Sequence, residues 1–337
     1  MPSPANNYKN KPKRKHPYWS LIIVASWLAL AALLLANRQN LFDWWQLRNY
    51  KAPAVVSQLA SEDTMTPYAI KIFEVNHPAI DDKTAFNKYC PNDGGEQTIV
   101  LGCYHSDQAG IFVLNVSDPL LLGVEQVTAA HEMLHAAYDR LSTSERNKID
   151  AMLLDYYNND LKDPRILSTI AAYKRTEPNA VVNEMHSVFG TEVANLPAPL
   201  EQYYKKYFTD RHKITSFAAQ YQSEFTSKQN EVSQDDSALG AMKTQIASTQ
   251  SDLSNKLTAI NSEQSQLSSY KNSNNIFTYN SAVPGYNQKI NSYNAEIVQL
   301  KNIINSYNTL VDKRNGVALV ENKLYQELSG NTTPPIN

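Results

Sequence analysis

His131-Glu132-Met133-Leu134-His135 is the stretch on which the reading of this 337-residue chain turns. It lies inside Val124–Leu141, a run whose apolar spacing predicts a helix. Residues four apart on a helix stack on one face, so the two imidazoles point the same way. That spacing suits one zinc ion, and the glutamate between the histidines is placed as general base toward a metal-activated water. Thr128, Tyr138 and Asp139 share roughly this face, with Asp139 an auxiliary candidate.

A catalytic zinc site needs a third protein ligand and an open position for water. Downstream stands Asn183-Glu184-Met185-His186-Ser187, in a segment predicted to be helical from Pro178-Asn179 to about Gly190. Glu184 shares a stripe with Ala180, Val181, Ser187 and Val188, and a carboxylate on a buried stripe needs a partner. His186, on another face of that helix, and Glu192 are the competing candidates. His186 has a further reading as a hydrogen-bond donor to a tetrahedral intermediate.

At these residues the chain resembles the zincin metallopeptidases, and specifically the thermolysin-like gluzincins. That group pairs H-E-x-x-H with N-E-x-x-S on a second helix. The resemblance rests on His131, Glu132, His135, Asn183, Glu184 and Ser187, two short motifs rather than the whole chain. It implies Glu132 as catalytic base and His131, His135 and Glu184 as zinc ligands. Val188 stands where the family places an aspartate that orients a zinc-bound histidine, so that support must come from elsewhere or be missing. The 48 residues between His135 and Glu184 are also more than the family spacing.

Around this core the sequence predicts an α+β domain over 65–210. Tyr68–Val75, Thr98–Tyr104 and Gly110–Val116 are rich in strand formers, and Ser117-Asp118-Pro119 closes the third with turn chemistry. A strand just ahead of the metal helix is suited to hold an extended substrate by strand addition. Ser142 and Glu145 form a capping-box pattern for a helix to about Asn158, and Asp163-Pro164 reads as a break. A tyrosine-rich helix starts near Leu200, with Tyr203, Tyr204 and Tyr207 mostly packing residues. Cys90 and Cys103, the only cysteines, flank the turn-like Pro91–Gly95 and are read as a disulfide, with two free thiols as the alternative.

Farther out, residues 1–17 form a basic tail expected to be disordered, with Lys9, Lys11, Lys13, Arg14 and Lys15. The uncharged apolar run 18–36 has the length of a single-pass anchor. A cleavable signal peptide competes with that reading, but Leu34-Leu35-Ala36 lacks the small-x-small cleavage pattern. Basic residues stay on the cytoplasmic side, so the bulk of the chain is expected outside the cytoplasm. Residues 37–64 read as a connector.

Beyond 211 the composition turns to Ser, Asn, Gln and Lys. Phe225, Val232, Leu239, Ile246, Leu253, Ile260 and Leu267 recur every seven residues, while Thr249, Lys256 and Glu263 spoil the companion positions. Ile290, Ile297, Ile304 and Val311 resume the period after a break spanning Asn272–Asn275 and Pro284-Gly285. These features predict a helical hairpin over 211–328 and a loose tail at 329–337. An intermolecular coiled coil, with a homodimer or other coiled-coil partner, is the alternative.

A formal net charge of −2 offers nothing to recruit nucleic acid. The expectation is a membrane-anchored, extracytoplasmic zinc peptidase acting on proteins or peptides. An envelope scaffold acting through its coil, with a degenerate or structural zinc domain, is the rival reading. Hydrolysis of cell-wall peptides is a third.

Overall fold

The computed structural model describes residues 2–3, 17–91 and 100–328. The expected disorder of the basic tail and the 329–337 tail, the Asn92–Gly95 turn and the start of the Thr98 strand fall outside them. The chain is mostly helical, with one three-stranded sheet.

The apolar run forms α1 (Pro17–Ala36), and α2 (Arg38–Leu47) follows directly. Among the described residues no single helix is long and apolar enough to cross a membrane. Leu21–Ala36 and Arg38–Leu47, which meet at a 62° bend, qualify by length and composition only as a pair. Yet α2 is fastened to the domain. Its buried Asp43 pairs with Lys71 at 2.7 Å and Arg140 at 3.0 Å. Burial raises the Asp43 pKa, but the Lys71, Gln39 and Arg140 partners outweigh it and hold the carboxyl below its ordinary range. From the expected connector, α3 (Ala54–Glu62) adds Val56, Leu59 and Ala60 to the main core.

Tyr68–Val75 is not the expected strand but α4 (Pro67–Val75). Thr66 caps it by accepting from the Ala69 N–H, and Pro67 supplies a preset φ at the first helical position. That local start signal, with burial of Ile72, Phe73 and Val75, overrides the strand preference of Tyr, Ile, Phe and Val.

The sheet is built from β1 (Ala79–Asp81), β2 (Gly102–His105) and β3 (Gly110–Leu114), in the order β1-β3-β2. β3 pairs parallel with β1 and antiparallel with β2, so β2 is an edge. Between β1 and β2, α5 (Lys83–Tyr89) ends at Cys90, which is disulfide-bonded to Cys103.

The central helix is α6 (Val124–Asp139). Ala129, Ala130, Met133, Leu134, Ala136 and Ala137 are all buried, so it is packed nearly all round. The Ser142–Glu145 capping box opens α7 (Thr143–Asn159). Asp163-Pro164 does not merely break the chain: it caps and starts α8 (Pro164–Thr176). Then come α9 (Val181–Glu192) and α10 (Ala198–Tyr204). At the crossing of α6 and α9, a Cβ on Gly190 would stand 2.4 Å from Leu134 Cδ1 and 2.8 Å from Tyr204 Cε1. Glycine there lets the two helices approach closely.

The hairpin consists of α11 (Arg211–Asn272) and α12 (Ile276–Leu328), joined at Ser273–Asn275 with Asn274 in the left-handed region. Pro284 is not part of the break; it lies inside α12. The helices run antiparallel within one chain, as Lys256–Glu296, Lys289–Glu263 and Lys313–Asp235 pair across the seam. Those pairs explain why Lys256 and Glu263 interrupt the apolar repeat. Leu253, Ile260 and Leu267 are buried between them. At the base, Ile214, Ala218, Tyr221 and Phe225 join the domain core. Arg211 there is buried, pairs with Glu201, and donates to the carbonyls of Phe189, Val193 and Ala194 at the end of α9.

Candidate metal centre

The crossing of α6 and α9 brings His131, His135 and Glu184 together. The two Nε2 atoms are 3.0 Å apart. Glu184 places Oε2 3.6 Å from His131 Nε2 and Oε1 3.4 Å from His135 Nε2. Donors around one tetrahedral ion with bonds of about 2.1 Å lie about 3.4 Å apart. The three side chains therefore fit a single metal ion, as a group whose ligand atoms all lie within 4.8 Å of one another.

Burial raises the pKa of Glu184, but the charges of His135 and His131 and hydrogen bonds from His131 and Tyr173 prevail and lower it. The carboxyl is thus held ionised where a bare buried charge would be costly.

Glu132 is buried on the adjacent face of α6 and reaches the sheet edge. A Cβ on Gly102 would lie 2.8 Å from Glu132 Oε1 and 2.5 Å from Thr128 Cγ2. Only a residue without a side chain lets β2 come so close to α6. The triad opens into a cleft of about 430 Å³ bordered by β2, α6, α8 and α9. A side cavity of about 120 Å³ continues past His131 and Glu132 to Glu192 and Tyr221.

The other candidates separate. Asp139 lines the cleft and accepts a hydrogen bond from the Tyr104 hydroxyl at 3.0 Å. His186 is fully buried on the opposite side of α9, where its Nε2 meets the Tyr203 hydroxyl at 2.9 Å among Tyr138, Tyr204 and Tyr207. Burial drives its pKa down to about 3. It stands apart from the triad. Glu192 reaches the side cavity but is held by Arg165. Tyr138 turns its hydroxyl to Asp150 at 2.7 Å. Val188 is packed in the core, so no carboxylate stands at that position.

Sequence reasoning missed two residues at the site. Tyr173, from α8, bonds Glu184 and borders both the cleft and the side cavity. Its only available signal was Asp163-Pro164 as a helix start. Gly102, inside a strand, carried the signal that glycine there often marks a close backbone approach.

Comparison with protein-family models, with curated proteins and with solved structures returned no match.

Proposed function

We propose that this chain is a zinc-dependent peptidase anchored by its N-terminal apolar segment, with the domain outside the cytoplasm. The observation that carries the reading is a two-imidazole, one-carboxylate donor set beside Glu132, in a cleft bordered by β2, an edge strand among the described residues. That donor set is the one catalytic zinc takes in H-E-x-x-H hydrolases.

Zinc, when bound, supplies Lewis-acid polarisation of water and of the scissile carbonyl. The chain's residues do the rest. An extended peptide laid along β2 takes main-chain hydrogen bonds from the strand edge. Gly102 brings that edge against Glu132, so the peptide carbonyl arrives beside the carboxylate. Glu132 removes a proton from the attacking water and returns it to the leaving amine. Tyr173 steadies Glu184 and borders the cleft. The anchoring reading is supported by the uncharged α1 and its exposed apolar side chains, including Trp19, Trp27, Leu28 and Leu35.

The test is metal content and peptide hydrolysis on purified full-length protein. The expected result is one zinc per chain. Glu132→Gln should keep the metal and lose activity by about 10²–10⁴-fold. Failure to hold zinc, or wild-type activity in Glu132→Gln, refutes the reading.

The length of the hairpin favours a second role as a scaffold, because most of α11 and α12 lies beyond the core. A cellular phenotype that follows deletion of the arm but not Glu132→Gln would assign the function to the arm.

A further inference from the structure

The peptidase reading leaves the substrate unspecified, and the side cavity narrows it. Cleft and side cavity share Val100, Gly102, His131, Glu132 and Tyr173. The cavity therefore opens off the cleft where Glu132 meets the sheet edge at Gly102. Val127 and Thr128 of α6, both buried, form one side, and Leu101 lies just ahead of β2. Beyond them stand Glu192, which is paired with Arg165, and Tyr221.

Tyr221 is brought there by the arm. Ile214, Ala218, Tyr221 and Phe225 recur at intervals of four, three and four residues along α11, so they share one helical face. All four are buried in the domain core. At the start of the same helix, Arg211 donates to the carbonyls at the end of α9. The Tyr221 ring is therefore a fixed wall, because a packed core gives way little to an added group.

An extended peptide turns successive side chains to opposite sides. With the scissile carbonyl beside Glu132, one of the two residues flanking the cleaved bond turns its side chain to the cavity mouth. The cavity measures about 120 Å³. An apolar cavity of about 150 Å³ takes up one benzene molecule. The space thus admits a side chain of alanine to valine size and falls short of an aromatic ring.

We propose that the substrate carries a short side chain next to the scissile bond, and that Tyr221 is the specificity-determining residue that sets its limit. The proposal rests on the peptidase reading for its chemistry, but the size limit is measurable without turnover.

The experiment uses the full-length, zinc-loaded protein and fluorogenic peptides that differ only in one residue flanking the scissile bond: alanine, valine, leucine, phenylalanine or tryptophan, on either side in turn. We expect kcat/KM at one of the two positions to be highest for alanine or valine and about tenfold or more lower for phenylalanine and tryptophan. Tyr221→Leu enlarges the cavity and should move the optimum toward the larger residues. Tyr221→Phe keeps the ring and should leave the ranking unchanged. Val100→Phe, at a half-buried position on the mouth, narrows the cavity and should move the optimum toward alanine. Opposite shifts from the two size variants separate a wall from a general loss of stability. If melting shows Tyr221→Leu to be unfolded, Val100→Phe carries the test alone.

Glu132-dependent hydrolysis with a flat ranking at both positions, a preference for aromatic residues, or a ranking that a folded Tyr221→Leu does not move overturns the proposal and leaves the peptidase reading standing. If no peptide is hydrolysed, the peptidase reading falls. Binding of the same peptides to zinc-loaded Glu132→Gln, followed by fluorescence anisotropy, then decides the size limit alone. Tighter binding of the alanine and valine peptides upholds it, and equal binding or none overturns it.

Discussion

The α6–α9 crossing and the α11–α12 seam are both helix pairs, held by opposite means. At the crossing, Met133, Leu134, Met185 and Phe189 are completely buried, and Gly190 is the point of closest approach. Along the seam one apolar residue per heptad is buried or half-buried, and charged pairs fill much of the rest. Dense apolar packing resists displacement because every lost contact or added methyl is felt. Exposed ion pairs contribute little and are screened by salt. The candidate metal ligands His131, His135 and Glu184 sit on the first kind of pair. The second kind specifies register and reach more than it adds stability.

The contrast is sharpest in its consequences for substitution. Asp43→Ala strips two cations of a buried partner and should cost about 3–5 kcal/mol, seen as a fall in the domain's melting temperature. A loss of under 1 kcal/mol would show α2 to be merely resting on the domain. Gly190→Ala places a methyl into Leu134 and Tyr204 and should cost about 1–3 kcal/mol. Because it pushes α9 from α6, it should also weaken zinc binding, measured by competition with a chelator. Unchanged affinity would break the link between packing and ligand placement.

Asp63 offers a smaller effect with a definite sign. Its carboxyl is fully buried, both oxygens lack hydrogen-bond partners, and burial, then Glu62, raises its pKa well above the ordinary value. Above about pH 4 the unfolded chain releases this proton while the folded chain retains it. Stability therefore declines as pH rises from about 4 through the raised folded pKa. Asp63→Asn should flatten that decline in melting curves taken from pH 4 to 8.

Smallest of all, Lys256→Ala should change hairpin stability by under about 1 kcal/mol and leave zinc binding untouched. The difference should vanish in 1 M salt, followed by helix content on heating. A large effect on the domain would contradict the separation drawn between the two pairs.

Legibility in the sequence followed the range of the interactions. His131 and His135 are neighbours through helical spacing, and Glu184 stands in a short helix motif, so all three could be named from local pattern. The hairpin was readable because Phe225 through Leu267 keep one period. Its breaking point was less so, since Pro284 near the start of a long helix removes one donor without ending it. Thr66-Pro67 and Asp163-Pro164 both carry the cap-plus-proline start signal. In the first, β-forming side chains mask the signal; in the second, the same Asp-Pro pair also fits a helix stop. With α8 unrecognised, Tyr173 could not be placed. The pairing of Glu192 with Arg165 and the meeting of Gly102 with Glu132 depend on tertiary approach and leave no short-range trace.

Tyr221 lines the side cavity next to the candidate metal centre, and it belongs to the same unbroken helix that ends at Asn272. Those two residues are about 77 Å apart at 1.5 Å per residue. The arm is therefore a lever with its short end in the wall of that side cavity. Its pivot is Arg211, which grips the end of the helix that carries Glu184. A sideways load on the tip arrives at the cleft as torque, without passing through any flexible joint in α11.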